Sequence, residues 1–262
     1  MKAGNGCKWG MIFGAILMLA SALCQAASPK HILMDIESKG FRHEVLPLAA
    51  QIVKQLGQES GKFNVTVTED SAGSITAANL KHYDAVLFFT TGDLPIADRA
   101  GFLNWINKGH GFIGVHSATD TYHGYTPYTT MIGAEFMTHG PQVKVNVHVD
   151  DPHFPGVQKL APSFTIFDEI YQFKNFDLSH RVHVILSLDK NPQTGAPGFY
   201  PIAWCQQYGK GRVFYDALGH RDDVWTSKIY QEQLLGGILW ALKLEKGSAK
   251  PNIPQFSPMK TN

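Results

Sequence analysis

The sequence predicts an α/β protein built on a doubly wound, mostly parallel sheet with added antiparallel strands. Short apolar runs alternate with stretches of helical periodicity through residues 31–120. Residues 85–89 are continuously apolar and residues 112–115 nearly so, the pattern of strands buried on both faces. The second of these runs ends in His116, Ser117, Ala118, Thr119 and Asp120. An open parallel sheet binds its ligands beyond the carboxyl ends of its strands, so the chemistry is expected there.

In chain order, residues 31–36 read as a first strand, running into Asp35, Glu37 and Ser38. Val45, Leu48, Ala49, Ile52, Val53 and Leu56 follow at helical spacing, with Pro47 suited to a first turn and Gly57 to a stop. Residues 63–68 alternate as a second strand, and residues 85–89 form a third, closed by Thr90, Thr91, Gly92 and Asp93. Phe102, Leu103, Trp105 and Ile106 mark the next helix, with Gly109 as its stop before the fourth strand. Beyond Asp120 a long excursion is expected. Residues 143–149 and 164–170 then alternate, and residues 182–188 are apolar. Residues 202–206 and 212–217 flank Tyr208-Gly209-Lys210-Gly211, a hairpin signal. A last helix is expected over residues 225–244, with Ile229, Leu234, Ile238, Leu239 and Leu242 inward.

The ends of the chain read differently. Residues 1–27 carry Lys2 and Lys8, an apolar run over residues 11–23, and small-residue cleavage sites around Gln25, Ala26 and Ala27. This is the pattern of a signal peptide, too short for a membrane span. A periplasmic or secreted protein without stable membrane insertion is expected. Cys24 could carry a lipid, but large Leu23 stands where a small residue belongs. Residues 28–246 form the domain, and residues 247–262, with Pro251, Pro254 and Pro258, an irregular tail. Removing the two leader lysines from 23 basic residues leaves 21 against 22 acidic ones. Bulk charge therefore excludes a nucleic-acid binder. Cys205 remains alone, so the mature chain can form no internal disulfide.

The residues expected at the carboxyl edge are Asp35, Glu37 and His43, then Thr91 and Asp93, then His116, Asp120 and His123. His139, Asp168, Glu169, Tyr171, His220, Arg221 and Asp222 come from later segments. His116 and His220 are the acid–base candidates, with Asp222 or Glu169 to orient an imidazole. Arg221 would steady negative charge on oxygen. No His-Glu-x-x-His and no cysteine pair is present. Even so, His116, His139, Glu169 and His220 could converge on one divalent ion, since ligands need only be near in space. Ordinary hydrogen-bonded histidines are the alternative. No phosphate-loop or dinucleotide glycine pattern occurs, so no nucleotide cofactor is expected.

Gly114-Val115-His116-Ser117-Ala118 resembles the nucleophile elbow of class I glutamine amidotransferases, with His116 in place of the cysteine. Gly219-His220-Arg221-Asp222 resembles their His-x-Glu site. Imidazole cannot replace a thiolate in a stable acyl-enzyme, so glutaminase activity is not expected. The likeness reaches further. Residues 111–120, Ile132-Gly133-Ala134-Glu135-Phe136 with His139, Asp168-Glu169-Ile170-Tyr171, Pro201-Ile202-Ala203-Trp204 and residues 211–220 together resemble the ThuA-like (trehalose utilisation) family.

That resemblance implies a flavodoxin-like, class I glutamine amidotransferase-like architecture. It also implies a role in carbohydrate use, with 3-keto disaccharides or glycosides as the substrate class. Tyr122, Tyr125, Tyr128, Tyr171, Trp204 and Trp225 could then offer faces to a pyranose ring, unless they are core, as such residues often are. Asp120, His123 and Arg221 could bind hydroxyls. The expected activity is His-based acid–base chemistry on a sugar, with metal assistance open. The alternatives are a non-catalytic periplasmic carbohydrate-binding protein and a serine hydrolase through Ser117, His220 and Asp222, although Ser117 lacks a Gly-x-Ser-x-Gly setting.

Overall fold

The computed structural model describes residues 28–176 and 181–253, together with Met1 and Gly4. The leader reading over residues 1–27 otherwise lies outside the described residues, as do residues 254–262. No helix among the described residues is long and apolar enough to cross a membrane.

The chain opens with β1 (Lys30–Asp35), α1 (Leu46–Ser60), β2 (Phe63–Thr68), a short α2 (Ser71–Ser74) and β3 (Ala85–Phe88). Then come α3 (Arg99–Asn107), β4 (Gly111–Val115), α4 (Thr126–Ile132) and β5 (Glu135–His139). The second half holds β6 (Val143–Val149), β7 (Ser163–Asp168), β8 (Tyr171–Lys174), β9 (His183–Lys190), β10 (Pro197–Tyr208) and β11 (Gly211–Asp216). It closes with α5 (Asp222–Trp225) and α6 (Lys228–Ala241).

Nine strands form one sheet in the order β2-β1-β3-β4-β11-β10-β9-β6-β7, while β5 and β8 pair as a separate ribbon. The first five are parallel throughout, and their order is that of a flavodoxin-like sheet. The other four extend it antiparallel. Side chains alternate across a strand, and β11 shows how both faces are covered. Phe214 meets α6, where a side chain at Gly237 would strike its ring. Tyr215 faces the other way, toward Phe173 of β8 and Trp204.

The structure moves several expected boundaries. Helix α1 runs through Gly57 and stops at Gly61, whose φ of 63° suits a left-handed cap. Gly57 serves packing instead, since a Cβ there would lie 2.5 Å from the Phe63 carbonyl oxygen. The expected strand over residues 164–170 ends at Asp168. Glu169 and Ile170 form the link by which the chain leaves the large sheet for the ribbon. The expected last helix is two pieces, α5 and α6, separated at Thr226 and Ser227. The tail is tied down as far as Ile253, which is buried. The Asn252 side chain accepts from the Val184 N–H (2.7 Å) and donates to its carbonyl (2.9 Å), completing a stretch of β9 that β6 leaves open.

Candidate functional site

The strands β4 and β11 lie side by side and end together, and each delivers a histidine. At the end of β4 the backbone turns sharply into a short 3-10 turn, and His116 adopts φ 45°. That left-handed conformation costs a non-glycine residue on the order of 1–2 kcal/mol, so surrounding contacts must hold it. The Tyr215 hydroxyl donates to the His116 carbonyl (2.7 Å) and also lies 3.0 Å from Thr119 Oγ1. The ring is fully buried, with Nδ1 2.8 Å from the Ala217 carbonyl oxygen. A carbonyl only accepts, so Nδ1 carries a proton, and in the neutral ring Nε2 is then the atom with the lone pair. Nε2 is buried without a hydrogen-bond partner.

After β11 the chain is fixed from both sides before it reaches His220. Asp216 accepts from the Leu218 N–H (3.0 Å), and Asp168, at the end of β7, accepts from the Gly219 N–H (2.8 Å). The Trp225 indole donates to the Gly219 carbonyl (2.7 Å). Gly219 stands at φ 115° with Tyr230 and Trp225 against it, a place that a side chain could not share.

Glu169 joins the two rings. Its Oε1 lies 3.6 Å from His116 Nε2 and 3.4 Å from His220 Nδ1, ion-pair distances without hydrogen-bond alignment. Its Oε2 lies 3.1 Å from His139 Nδ1. The fourth member comes from the loop after β1. His43 is buried, edge-on to His116 (4.9 Å between centroids) and to His220 (5.3 Å), and its Nδ1 has no partner. One ligand atom from each of His43, His116, Glu169 and His220 lies within 4.8 Å of the other three. Two donors on one zinc-sized ion stand at most about 4.2 Å apart, so a small contraction brings all four to a common centre.

The electrostatics suit that arrangement. Burial, with His116 and His220 beside it, pushes His43 down to about 3, so it is a neutral donor at ordinary pH. Burial opposes the charge of Glu169, but contacts with His116 and His220 outweigh it and hold the carboxyl well below its usual range. The contact with Glu169 raises His220, against burial. Metal ligands must be deprotonated, and three imidazoles with one carboxylate are a donor set for zinc or a similar divalent ion.

The remaining expected site residues divide. Tyr171 lies on His116 (4.2 Å between centroids), but it is buried among His139 and Phe136. His139 stands outside the four-residue cluster, half-exposed at the end of β5, with Nδ1 2.9 Å from the Gly140 carbonyl oxygen. Asp120 and His123 pair with each other, and His123 Nδ1 lies 3.1 Å from Glu135 Oε1. Arg221 is bound to Asp223 and Gln142 and covers Phe167. Asp222 is exposed in the first turn of α5 and has no hydrogen bond to either imidazole.

The expected sugar platforms are mostly core. Trp204 and Trp225 are fully buried and donate to the carbonyls of Ile132 and Gly219. Tyr122 and Tyr128 are buried and donate to the carbonyls of Leu94 and Ala118. Each polar tip found a backbone acceptor, which is how such residues enter a core. Ser117 is fully buried, and burial pushes the Cys205 thiol well up, so neither offers an exposed nucleophile. His43 is the member of the cluster that the expected ligand set leaves out. Its place in the loop after the first strand was the available signal, but nothing in the spacing sets it apart.

Residues 31–241 match the family model of ThuA, described as trehalose utilisation. Among solved structures, a ThuA-like protein from Parabacteroides merdae superposes with a TM-score of 0.70 at 18% identity, covering 87% of this chain and 94% of that one. One from Bacteroides uniformis superposes with a TM-score of 0.72 at 24% identity, covering 86% and 96%. A β-galactosidase from Bacillus circulans sp. alkalophilus gives 0.51 at 14% identity, with 87% of this chain on 32% of that one. At such identities the likeness is one of fold. No curated protein matches the chain.

Proposed function

The chain belongs to the ThuA family of trehalose utilisation, and we propose that it is a metal-assisted enzyme acting on a keto-sugar, either a 3-keto disaccharide or a related glycoside. The observation that carries this reading is the cluster of His43, His116, Glu169 and His220, whose three imidazoles each bury a ring nitrogen without a hydrogen-bond partner. A buried polar atom left unpaired costs about 1–3 kcal/mol. Three together at a ligand-binding sheet edge are explained by a divalent ion. Bound there, such an ion supplies a Lewis acid for a sugar carbonyl.

The chain's own groups do the rest. His116 is held as a neutral ligand by its Nδ1–H bond to Ala217, the outer contact that fixes the tautomer of metal-binding histidines. His139 has acceptors at Nδ1, the Gly140 carbonyl and Glu169 Oε2, so its proton belongs on Nδ1 and its lone pair on Nε2. Half-exposed at the rim, it is the general base we assign to remove the proton next to the keto carbon. Asp120 and His123 are assigned to sugar hydroxyls. A protein that only binds sugar has no use for three unpaired buried imidazole nitrogens. We also place the mature protein outside the cytoplasm, on the leader pattern of residues 1–27.

Metal analysis of the purified protein, followed by turnover of 3-keto-trehalose, tests the reading. One divalent ion per chain and consumption of the keto-sugar are expected. Protein that takes up no ion from zinc, manganese or nickel solutions would overturn the metal centre. A loaded protein that leaves keto-sugars unchanged would overturn the substrate class.

A further inference from the structure

We infer that Phe41 is the stacking platform for the second ring of a disaccharide or glycoside whose first ring sits at the histidine cluster. Phe41 is 66% exposed, unlike the buried tryptophans. Its exposure is not that of a loose loop. Lys39 N–H donates to the Thr91 carbonyl (2.9 Å), and Gly40 N–H donates to Thr91 Oγ1 (3.2 Å). Thr91 Oγ1 in turn donates to the Phe41 carbonyl (2.9 Å). The loop lies so close to Gly92 that a Cβ there would stand 2.8 Å from the Gly40 nitrogen. On the other side, Arg42 is paired with Glu69 (2.9 Å). Apart from an edge contact with His43, the ring leaves most of its apolar surface in water, where it is not offset by burial.

The ring's place says what it serves. Phe41 stands edge-on to His43 at 4.9 Å, and His43 stands at 4.9 and 5.3 Å from His116 and His220. Phe41 is thus the exposed member of this series of rings and lies within two ring-to-ring steps of those histidines. A disaccharide is long enough to reach across that separation. Phenylalanine has no polar tip, so it recognises the C–H face of a pyranose, not its hydroxyls. By contrast, the half-exposed Phe167 already has Arg221 over its ring.

The inference rests on the keto-sugar reading, and the experiment separates the two. Calorimetry would compare 3-keto-trehalose with 3-keto-glucose on metal-loaded protein whose assigned base is removed by His139→Gln, so that binding is read without turnover. In that background the native Phe41 form serves as wild type beside Phe41→Ala and Phe41→Trp. Wild type is expected to prefer the disaccharide. Phe41→Ala should lose about tenfold in disaccharide affinity and much less for the monosaccharide. Phe41→Trp should keep the preference, and all three should share one metal content and melting temperature. If Phe41→Ala keeps the wild-type preference, or weakens both sugars equally, the platform is overturned while the keto-sugar reading stands. If wild type binds neither sugar, both fall.

Discussion

His116 Nδ1 lies 2.8 Å from the carbonyl oxygen of Ala217, joining the ends of two neighbouring parallel strands. The contact fixes the ring's tautomer and aims the remaining nitrogen at Glu169 and His220. It also explains why a strained φ of 45° persists at a strand end. Strain of this kind survives where surrounding contacts over-determine it, and it gathers at functional sites.

Replacing His116 with glycine separates these roles. Glycine takes the left-handed conformation freely, so His116→Gly recovers about 1–2 kcal/mol of strain. The same change gives up one buried hydrogen bond, about 1 kcal/mol, and opens a ring-sized cavity beside Phe89 and Tyr171, a loss set against removal of the buried, unpaired Nε2. The metal-free variant is expected to melt within a few degrees of wild type, while its metal content falls by tenfold or more. Atomic absorption beside a melting curve reads both quantities. Retention of the ion would remove His116 from the ligand set.

His139→Gln asks which histidines hold the ion. As a rim base whose Nδ1 faces Glu169 Oε2, His139 can be lost without losing a ligand. The variant is expected to keep its ion while turnover of the keto-sugar drops about 10²–10⁴-fold. Loss of metal as complete as in His116→Gly would restore His139 to the ligand role that its sequence position suggested.

The parallel half of the sheet was legible because its signals are local. Residues 85–89 and 112–115 declare buried strands, whereas the glycines before His116 and His220 serve packing: a Cβ at Gly114 would meet Ile132 and Tyr215, and one at Gly219 would meet Tyr230 and Trp225. Which histidine completes the cluster is not local. His43 reaches it because Thr91, on another strand end, holds the loop before it. His139 is kept at the rim because β5 pairs with β8, where His139 faces Tyr171. Helix α4 escaped because threonines and tyrosine are weak helix formers. Its Pro127 and its stop at Gly133, with φ 100°, were the available signs. Composition could not divide the aromatics either, since Trp204 enters the core by way of a single acceptor at Ile132.

Gly219→Ala tests how His220 is positioned. A methyl group there would lie 2.8 Å from the Tyr230 hydroxyl, on a backbone held at φ 115°. The expected cost is about 1–3 kcal/mol of stability, with a displaced His220 and weakened metal affinity. Isothermal titration with zinc reads the second effect. Unchanged affinity would mean that the loop's course after β11 does not set the site.

Asp216→Asn gives a prediction with a defined pH dependence. Asp216 is fully buried at the end of β11, and burial pushes its carboxyl up to about 8, against help from the Leu218 N–H and the Gln233 amide. In the unfolded chain it titrates near its ordinary value of 3.8. Below that pH both states hold the proton, and the group costs nothing. Between about 4 and about 8 the native state keeps a proton that the unfolded chain has released, so stability falls by about 1.4 kcal/mol per pH unit. Above about 8 both states are ionised, and the loss stays constant. Asparagine cannot ionise, and its amide can donate to Gln233 Oε1, which has no partner, once the Gln233 amide turns over. The stability difference between Asp216→Asn and wild type should therefore move toward the variant by about 1.4 kcal/mol for each unit between pH 5 and pH 7. Other buried acids, Asp35 among them, are common to both proteins and cancel to first order. Urea denaturation at pH 5, 6 and 7 measures the slope, and a difference independent of pH would mean that Asp216 is ionised in the folded protein.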